Sequence, residues 1–448
     1  MAKKTKWGRL AKLTELTTKV SSSYLGQRVA GVFQKKEEQE ESLRQTHLRN
    51  AERIVDTMSV LKGAAMKVGQ SLAVLADSMD LPDDMAKILS KLNDQAVPVP
   101  FDEILKVIET ELGSTEDIFS MIDEEPLGTA SLAQAHAALL KDGRSVVIKV
   151  LHEGVEHSVD TDLKALKSIL LAGRVLKRSR EEIDMIFEEI HARLLEELDY
   201  EHEYQNLERF SSFFADIPGI SSPRPIKELC TKRILVMDRL TGMCLEDFVE
   251  KGSKEAHQRA ADLLTLGFHE MTYGFRALHA DPHGGNFLFS LDGSIALIDF
   301  GCVKYFTAEF LIDYGLLGTA IIDGNREESI FMAEKMGLIT EGTEEMYQDF
   351  WDFVQVIAKP FRSELYSSSS DELMKEIRAG SHKILRHGNI RASRDIIFLH
   401  RALTGTYSML RKLEHRCNYE EIRRRYVDNA IEISNKKRED RGWDARNR

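Results

Sequence analysis

The sequence lacks any long hydrophobic run. No window approaches the roughly 18 consecutive apolar residues that a membrane-spanning helix needs. The strongest candidate covers residues 311–322, is too short and contains Asp313. We therefore expect no transmembrane segment and a cytoplasmic protein.

Cysteine motifs are also missing. The four cysteines lie far apart, and none forms a CxxC or CxxH pair. A zinc finger or a disulfide framework is therefore disfavoured, and reduced thiols in a cytosol-like compartment are expected. The four residues are Cys230, Cys244, Cys302 and Cys417.

There is no basic excess either. The chain has 61 Lys and Arg against 73 Asp and Glu, a net charge of −12, which argues against nucleic acid as a partner. Residues 1–34 are an exception, with seven basic residues and only Glu15 as an acidic one. Apolar residues recur there at steps of three and four: Trp7, Leu10, Leu13, Leu16 and Val20. This pattern leaves two alternatives open, a helix lying on an anionic membrane surface or a frayed, solvated terminus.

The first 110 or so residues have a helical pattern. Residues 35–49 are polar and charged, and we expect an exposed lead-in there. An apolar stripe with steps of three and four predicts a helix over 54–76. Further helices are predicted over 82–92 and 101–112, the last one ending at Gly113.

A mixed region follows. Asp142-Gly143 separates two strand-like runs and predicts a hairpin. A helix is expected over 181–214, and strands over 226–230 and 233–238. Helices then continue to the end of the chain, interrupted by a loop at 279–301 that contains a second Asp-Gly hairpin.

Two features of the mixed region could bind phosphate. Lys149 lies within a β-branched run, so its ammonium points either to solvent or to an anion on the inner face of the sheet. Upstream, residues 125–138 form a predicted loop of small residues, in which Gly128, Thr129, Ala130 and Ser131 would let backbone N–H groups approach a ligand. Neither feature is specific by itself.

The octapeptide "HADPHGGN" (279–286) is more specific. Asn286 follows Asp281 by five residues, and the sequence Asp-Phe-Gly begins thirteen residues later at Asp299. This spacing matches the catalytic and magnesium loops of protein kinases, where the first Asp faces the acceptor and the other two residues supply oxygen ligands to Mg²⁺. A zinc pair of His279 and His283 is disfavoured, because Pro282 opposes the regular helix that it requires.

With these motifs in order, the sequence resembles the UbiB/ADCK/AarF family of atypical kinase-like proteins. The resemblance covers about residues 50–410 and depends on six segments. They are "MKVGQS", "PLGTASLAQAHAA", "VVIKV", "LDYEHEYQN", "HADPHGGN" and "LIDFG". It implies an α+β, two-lobed kinase-like fold with a helical N-terminal extension and a largely helical C-terminal lobe.

The resemblance assigns roles to individual residues. Lys67, Gly69 and Gln70 match the KxGQ motif, and Glu197 and Asp199 match the ExD motif. Residues 128–131 match the alanine-rich loop, although Gly128-Thr129 stands where the family usually has alanines, which puts its nucleotide preference in doubt here. The remaining matches are the strand lysine, its helix glutamate, the catalytic Asp and the metal ligands: Lys149, Glu203, Asp281, Asn286 and Asp299.

The resemblance also implies an activity and a division of the chain. We expect Mg²⁺-dependent binding and hydrolysis of ATP, with the nucleotide between the lobes near a hinge that includes Met237 and Asp238. The expected role is support of isoprenoid-quinone (ubiquinone-type) or other lipid biosynthesis at a membrane surface, together with other biosynthetic enzymes. The alternatives are a phosphotransferase acting on a small molecule or protein, and a nucleotide-gated scaffold. The predicted domains are 1–34, 35–118, 119–240 and 241–448.

Helical geometry adds two expectations. On the 54–76 helix, Lys67 and Gln70 share a face with Gly63, so we expect this helix to lie across the nucleotide cleft with Lys67 reaching into it; the alternative is a solvated lysine beside a glycine that packs closely. Glu197 and Asp199 would lie about 200° apart on a regular helix, so either the helix is bent or interrupted there and they converge, or one of them faces elsewhere.

Overall fold

The computed structural model describes residues 2–31, 36–61, 66–68, 87–88, 91, 98–173, 180–340, 342–369, 372–385, 387 and 393–439. The chain forms two compact units. The first comprises Met1–Gln205 with Arg224–Arg239, and the second comprises Asn206–Pro223 with Leu240–Arg448.

A helical cluster builds one part of the first unit. It contains α1 (Ala2–Gly31), α2 (Lys36–Leu61), α5 (Val155–Gly173) and α6 (Arg180–Glu197). The apolar side chains of these helices form one hydrophobic core, to which α1 contributes Leu13, Leu16, Val20 and Tyr24. Leu13, Leu16 and Val20 of the predicted apolar stripe are therefore packed inside the protein, so this face of the segment is not the one that could lie on a membrane surface.

The expected lead-in at 35–49 was also wrong, because α2 begins at Lys36. The buried face of α2 continues upstream of Ile54 through Asn50 and Thr46, which are 0% and 2% exposed. These two polar side chains interrupt the hydrophobic pattern, so the sequence gives no apolar signal for this part of the helix.

The predicted helix over 54–76 lies only partly within the described residues. Its start is the end of α2, and residues 66–68 are helical. Residues 62–65 and 69–86, which include Gly69 and Gln70, lie outside the described residues, as does most of the predicted helix over 82–92. The helix predicted over 101–112 is confirmed as α3 (Phe101–Leu112), and Gly113 ends it with a φ of 83°.

A four-stranded antiparallel sheet builds the rest of the first unit. Its strands are β1 (Phe119–Thr129), β2 (Ala133–Leu140), β3 (Ser145–Leu151) and β5 (Ile234–Asp238), in that order across the sheet. The single turn α4 (Thr115–Ile118) leads into β1. Helix α3 packs on one face of the sheet, where Ile104 and Ile108 join Val146 and Ile148 in a second hydrophobic core.

The Asp142-Gly143 hairpin is confirmed, with Gly143 at a φ of 89° between β2 and β3. The loop predicted over 125–138 is shorter than expected, because Gly128 and Thr129 belong to β1 and pair with β2. The strand predicted over 226–230 is instead a 3₁₀ turn over Lys227–Leu229. Ile226 donates one ladder hydrogen bond to Val236, and turn bonds then replace the ladder.

The helix predicted over 181–214 is two helices. Helix α6 ends at Glu197, and α7 (Tyr200–Phe214) begins three residues later. The intervening residues, Leu198 and Asp199, form a turn. Helix α5 was not predicted at all.

The second unit is largely helical. Its helices are α8 (Leu245–Lys251), α9 (Lys254–His269), α10 (Ala308–Ile322), α11 (Arg326–Lys335), α12 (Glu344–Ala358), α13 (Glu372–Leu385), α14 (Arg394–Lys412) and α15 (Tyr419–Glu439). A π-helical turn, Glu270–Gly274, follows α9.

Short strands in the second unit flank the loops that contain the kinase-like motifs. They are β4 (Ile220–Ser221), β6 (Ala277–His279), β7 (Phe287–Phe289), β8 (Ile295–Leu297) and β9 (Val303–Tyr305). The last 140 residues are not purely helical, because β10 (Tyr366–Ser367) pairs with β11 (Arg416–Cys417). Within the described ranges, no helix combines the length and the apolar character that crossing a membrane requires.

Candidate active site

Lys149 is held by a glutamate in the first unit. In β3, Val146, Ile148 and Val150 face the core formed with α3, so the alternation of the strand places Lys149 on the opposite face. Its Nζ lies 2.5 Å from Oε1 of Glu203 on α7, and the two side chains are 16% and 7% exposed. Of the two orientations left open by the sequence, the structure shows the lysine paired with an anion.

The two acidic residues of the ExD segment have different contacts. Glu197 at the end of α6 lies 2.7 Å from Lys67 Nζ. Asp199 in the turn accepts a hydrogen bond from the backbone N–H of His202 at 3.0 Å, which is the contact of a helix N-cap. The helix is therefore interrupted between these two carboxylates, which have different partners, and Asp199 caps the helix that carries Glu203.

The predicted phosphate loop is a three-residue turn, Ala130–Leu132, closed by a hydrogen bond from the Ala130 N–H to the Ala133 carbonyl at 2.9 Å. Leu132 is buried in the same helical core as Met66 and Val68, the two neighbours of Lys67. The structure therefore anchors this turn and the Lys67 segment in one hydrophobic core.

The residues predicted to form the hinge lie at the end of β5. Met237 is 4% exposed and pairs with Val147, and Asp238 pairs with Val146. The chain leaves the first unit directly afterwards, at Arg239.

In the second unit, two strand pairings explain the spacing of the kinase-like motifs. Strand β7 pairs with β8, and the Ile298 N–H donates to the Asn286 carbonyl at 3.1 Å, so Asn286 and Asp299 meet at one end of this hairpin. Strand β6 pairs with β9, and the Ala280 N–H donates to the Cys302 carbonyl at 2.9 Å. Asp281, which directly follows β6, therefore lies near Asn286 and Asp299.

The catalytic loop is fixed by its own hydrogen bonds. Asn286 Nδ2 donates to the backbone carbonyl of Asp281 at 3.0 Å, so the amide oxygen is the atom with which Asn286 could bind a metal ion. His283 Nδ1 accepts from the Gly285 N–H at 3.1 Å and caps the 3₁₀ turn over Gly284–Asn286. His283 is therefore part of the loop's internal structure.

Arg401 on α14 binds the candidate catalytic carboxylate. Its Nη2 lies 2.5 Å from Asp281 Oδ1, and each side chain is 37% exposed. The second carboxylate oxygen, Oδ2, lies 3.9 Å from His283 Nε2. Sequence reasoning missed Arg401, which is 120 residues away from Asp281 and belongs to no recognised motif.

The loop that contains Asp299 and Gly301, the candidate metal loop, is supported by a backbone hydrogen bond and by buried rings. Asp299 Oδ1 accepts from the Gly301 N–H at 3.1 Å. Phe300 is 1% exposed and meets the edge of His279 at a centroid distance of 5.9 Å. Burial lowers the pKa of His279, which keeps its imidazole neutral. This buried ring supports the loop, whereas His283 is exposed.

Asn206 on α7 is a second residue that sequence reasoning missed. It is fully buried, and its Nδ2 donates to the Phe300 carbonyl at 3.1 Å. Its Oδ1 accepts from the Tyr305 hydroxyl at 2.7 Å. The sequence spacing could have indicated this residue. Asn206 follows Glu203 by three positions, so the two side chains share a helix face.

Comparison with known proteins places this geometry in a family. Residues 91–333 match the ABC1 atypical kinase-like domain. The rat protein named atypical kinase COQ8B, mitochondrial, is 29% identical over 362 residues, which cover 80% of this chain and 68% of that protein. AarF domain-containing protein kinase 1 of Xenopus tropicalis is 34% identical over 309 residues, which cover 67% of this chain and only 58% of that protein. Yeast atypical kinase COQ8, mitochondrial, is 27% identical over 370 residues, which cover 81% of this chain and 73% of that protein.

A solved structure agrees in fold. The Mycobacterium tuberculosis protein Rv3197, determined in complex with erythromycin, superposes with a TM-score of 0.58 at 22% sequence identity, covering 81% of this chain and 91% of that one. This likeness supports the predicted kinase-like α+β fold. The domain match and the curated relatives support, at a coarse level, an ATP-using enzyme. The chain belongs to the ABC1 atypical kinase-like family.

Proposed function

We propose that this protein binds Mg-ATP and hydrolyses it in support of isoprenoid-quinone (ubiquinone-type) or other lipid biosynthesis. The observation that carries the nucleotide-binding part is the Lys149–Glu203 ion pair at 2.5 Å. A lysine held on the sheet by a helix glutamate is the arrangement that positions the phosphates of ATP in kinases.

Residues of the first unit supply the remaining phosphate contacts. The turn Ala130–Leu132, with Ser131 at its centre, would lie against the phosphates. Lys67 contributes a second cation, restrained by Glu197 at 2.7 Å. Met237 and Asp238 provide backbone groups for the base of the nucleotide, since they end the strand next to Lys149.

Residues of the second unit supply the acceptor side of the reaction. Asp281 orients a water molecule and accepts its proton. The water oxygen bonds to the γ-phosphorus, the bond to the β,γ-bridging oxygen breaks, and ADP and inorganic phosphate leave. Such a reaction depends mainly on positioning and charge stabilisation, which suits a loop held by several hydrogen bonds.

Asn286 and Asp299 would hold the magnesium ion. Magnesium prefers oxygen ligands and is bound through one or two carboxylates together with substrate phosphates. The hydrogen bond from Asn286 Nδ2 leaves the amide oxygen for the cation, and the Gly301 N–H orients the Asp299 carboxylate. When bound, the ion neutralises the charge that develops on the phosphates.

The link to a lipid pathway has separate support. The resemblance to the UbiB/ADCK/AarF family suggests the biosynthetic role and partner enzymes. On α1, the face opposite the buried stripe exposes Leu25 and Val29, which are 62% and 67% exposed. Two exposed apolar side chains on a segment with seven basic residues suit weak contact with an anionic membrane surface.

Phosphate release from purified full-length protein with Mg-ATP tests the activity. We expect release by the wild type and its loss in Asp299→Asn, while Asp292→Asn behaves as wild type. Asp292 is a matched control, because it lies in the β7–β8 turn with 59% of its side chain exposed. A labelled phosphate that appears on a protein or small molecule would establish the phosphotransferase instead. Nucleotide binding without release would establish the scaffold.

Sedimentation with phosphatidylcholine vesicles, with and without an anionic phospholipid, tests the membrane contact. Deletion of residues 1–34 is unsuitable, because it would expose the helical core that α1 covers. We expect Leu25→Ser combined with Val29→Ser to reduce binding to anionic vesicles. The control is Met185→Ser, which replaces a 62% exposed apolar residue on α6. Equal binding by all three proteins would refute the membrane contact and leave the ATPase proposal intact.

A further inference from the structure

Helix α14 contacts the catalytic loop at two positions one turn apart. Arg401 reaches Asp281 Oδ1 at 2.5 Å. Gly405 lies so close to the loop that an added Cβ would stand 2.3 Å from the Pro282 carbonyl oxygen. Residues four apart share one face of a helix, so a single face of α14 holds the loop.

The same helix is tied to the segment after the metal loop. Lys304 in β9 lies 2.6 Å from Asp395 in the first turn of α14, and the two side chains are 26% and 31% exposed. Strand β9 pairs with β6, which leads into Asp281. Helix α14 therefore contacts the catalytic loop and the strand that follows the Asp-Phe-Gly segment.

Thr406 on α14 lies next to the catalytic loop on the side that faces the protein interior. It is 7% exposed and lines a small cavity together with His279 and Pro282. The other lining residues are mainly apolar and include Leu278 and Phe287. The loop is therefore supported by packing on the inner side and by the Arg401 ion pair at its carboxylate.

We propose that Arg401 is a positioning residue for Asp281. Its guanidinium holds one carboxylate oxygen, which leaves the other free to orient the acceptor, and Gly405 permits the close approach that brings Arg401 into range. Arginine suits this task because its rigid, permanently charged head fixes the direction of the bond. The proposal rests on the proposed ATPase function and adds a residue from outside the recognised motifs.

The test measures kcat and KM for Mg-ATP in the full-length protein. We expect Arg401→Met to lower kcat by about 10- to 100-fold, because small displacements of a catalytic group are costly. KM should change less than about threefold, because Arg401 orients the acceptor side of the reaction. Arg401→Lys, which keeps the charge, should recover part of the loss.

Two controls separate positioning from folding. Lys412→Met removes another ion-paired cation of α14, whose partner is Glu246 at 2.7 Å, and should leave both constants unchanged. In an Asp281→Asn background, Arg401→Met should add little further loss, because residues that act as a unit are not additive.

A second pair of variants tests the contact with Pro282. Gly405→Ala should lower kcat, because the new methyl group displaces the loop. Gly318→Ala on α10 is the matched control, since its Cβ would lie 3.7 Å from Arg423 Nη1, an ordinary contact. It should keep full activity.

The outcomes are distinguishable. Absence of phosphate release from the wild type would reject the ATPase proposal itself. Release by the wild type with unchanged or increased kcat in Arg401→Met would reject the positioning role alone. A parallel loss in Lys412→Met, or an equal rise in KM, would also overturn it, because the effect would then be structural or on nucleotide binding.

Discussion

Asn206 and Phe300 are joined by a buried hydrogen bond, from the side-chain Nδ2 of the first to the backbone carbonyl of the second, at 3.1 Å. The helix that carries Asn206 also carries Glu203, three residues earlier. One short helix segment thus supplies the partner of Lys149 and a support for the metal loop.

Substitution of Asn206 should therefore affect both stability and activity. We expect Asn206→Ala to lower the free energy of unfolding by about 1–3 kcal/mol, because the Phe300 carbonyl is left buried without this partner. Phosphate release should fall as well, since the loop that positions Asp299 loses its support. Urea unfolding and steady-state kinetics measure the two effects.

Tyr305→Phe is the matched variant. It removes the hydroxyl that donates to Asn206 Oδ1 but retains the bond to Phe300. We expect a smaller loss of stability and near-normal activity. Equal effects of the two substitutions would show that the Phe300 bond has no special role.

The Lys149–Glu203 pair should be needed for stability as well as for nucleotide binding. Lys149→Met leaves the Glu203 carboxylate buried without its cation, at a cost of about 3 kcal/mol. It should also abolish the rise in melting temperature that Mg-ATP produces in the wild type. Arg144→Gln breaks a pair with Asp142 whose side chains are 56% and 52% exposed, and should leave the stability nearly unchanged because water screens exposed ion pairs. A normal nucleotide-induced shift in Lys149→Met would contradict the assigned role.

Asp199 can be tested as a cap against its expected catalytic role. We expect Asp199→Ala to cost about 1 kcal/mol of stability, and Asp199→Ser to restore most of it, because serine caps helices nearly as well as aspartate. If capping is the whole role, the serine variant should also retain phosphate release. Inactivity of a stable Asp199→Ser protein would assign the carboxylate to the chemistry.

Buried His269 predicts loss of stability in mild acid. Burial lowers its pKa from 6.5 to about 4, and its Nδ1–H donates to the Thr265 carbonyl at 2.8 Å. Because the unfolded chain binds this proton first, the stabilisation is complete above pH 6.5 and decreases as the pH falls toward 4. The slope contributed by one proton is about 1.4 kcal/mol per pH unit.

Urea unfolding between pH 4.5 and pH 7.5 measures this slope. We expect His269→Gln to reduce it, since the amide can still donate to Thr265 but does not titrate. Phe268→Leu, a neighbouring buried substitution, should lower stability at every pH without changing the slope. An identical slope in His269→Gln and the wild type would contradict the assignment.

Much of the fold could be predicted from local patterns. Helix α3 and both Asp-Gly hairpins follow from apolar periodicity and turn residues that act within a few positions of each other. Predictions from local patterns were wrong where polar residues are buried, as at Thr46 and Asn50 of α2. They were also wrong where turn hydrogen bonds replace a strand ladder, as at Lys227–Leu229.

The sequence by itself determined the order and spacing of the chemical groups. The interval between Asn286 and Asp299 is the length of one hairpin, and the Lys149 position follows from the alternation of its strand. Such relations are local, so the sequence contains them.

Only the tertiary structure decided what each group contacts. It showed the N-terminal apolar stripe packed in the core rather than exposed, Asp199 capping a helix, and Arg401 joined to Asp281 across 120 residues. Contacts of this kind depend on which helix faces meet after the chain has packed. Packing depends on many weak interactions at once, and no single segment specifies it.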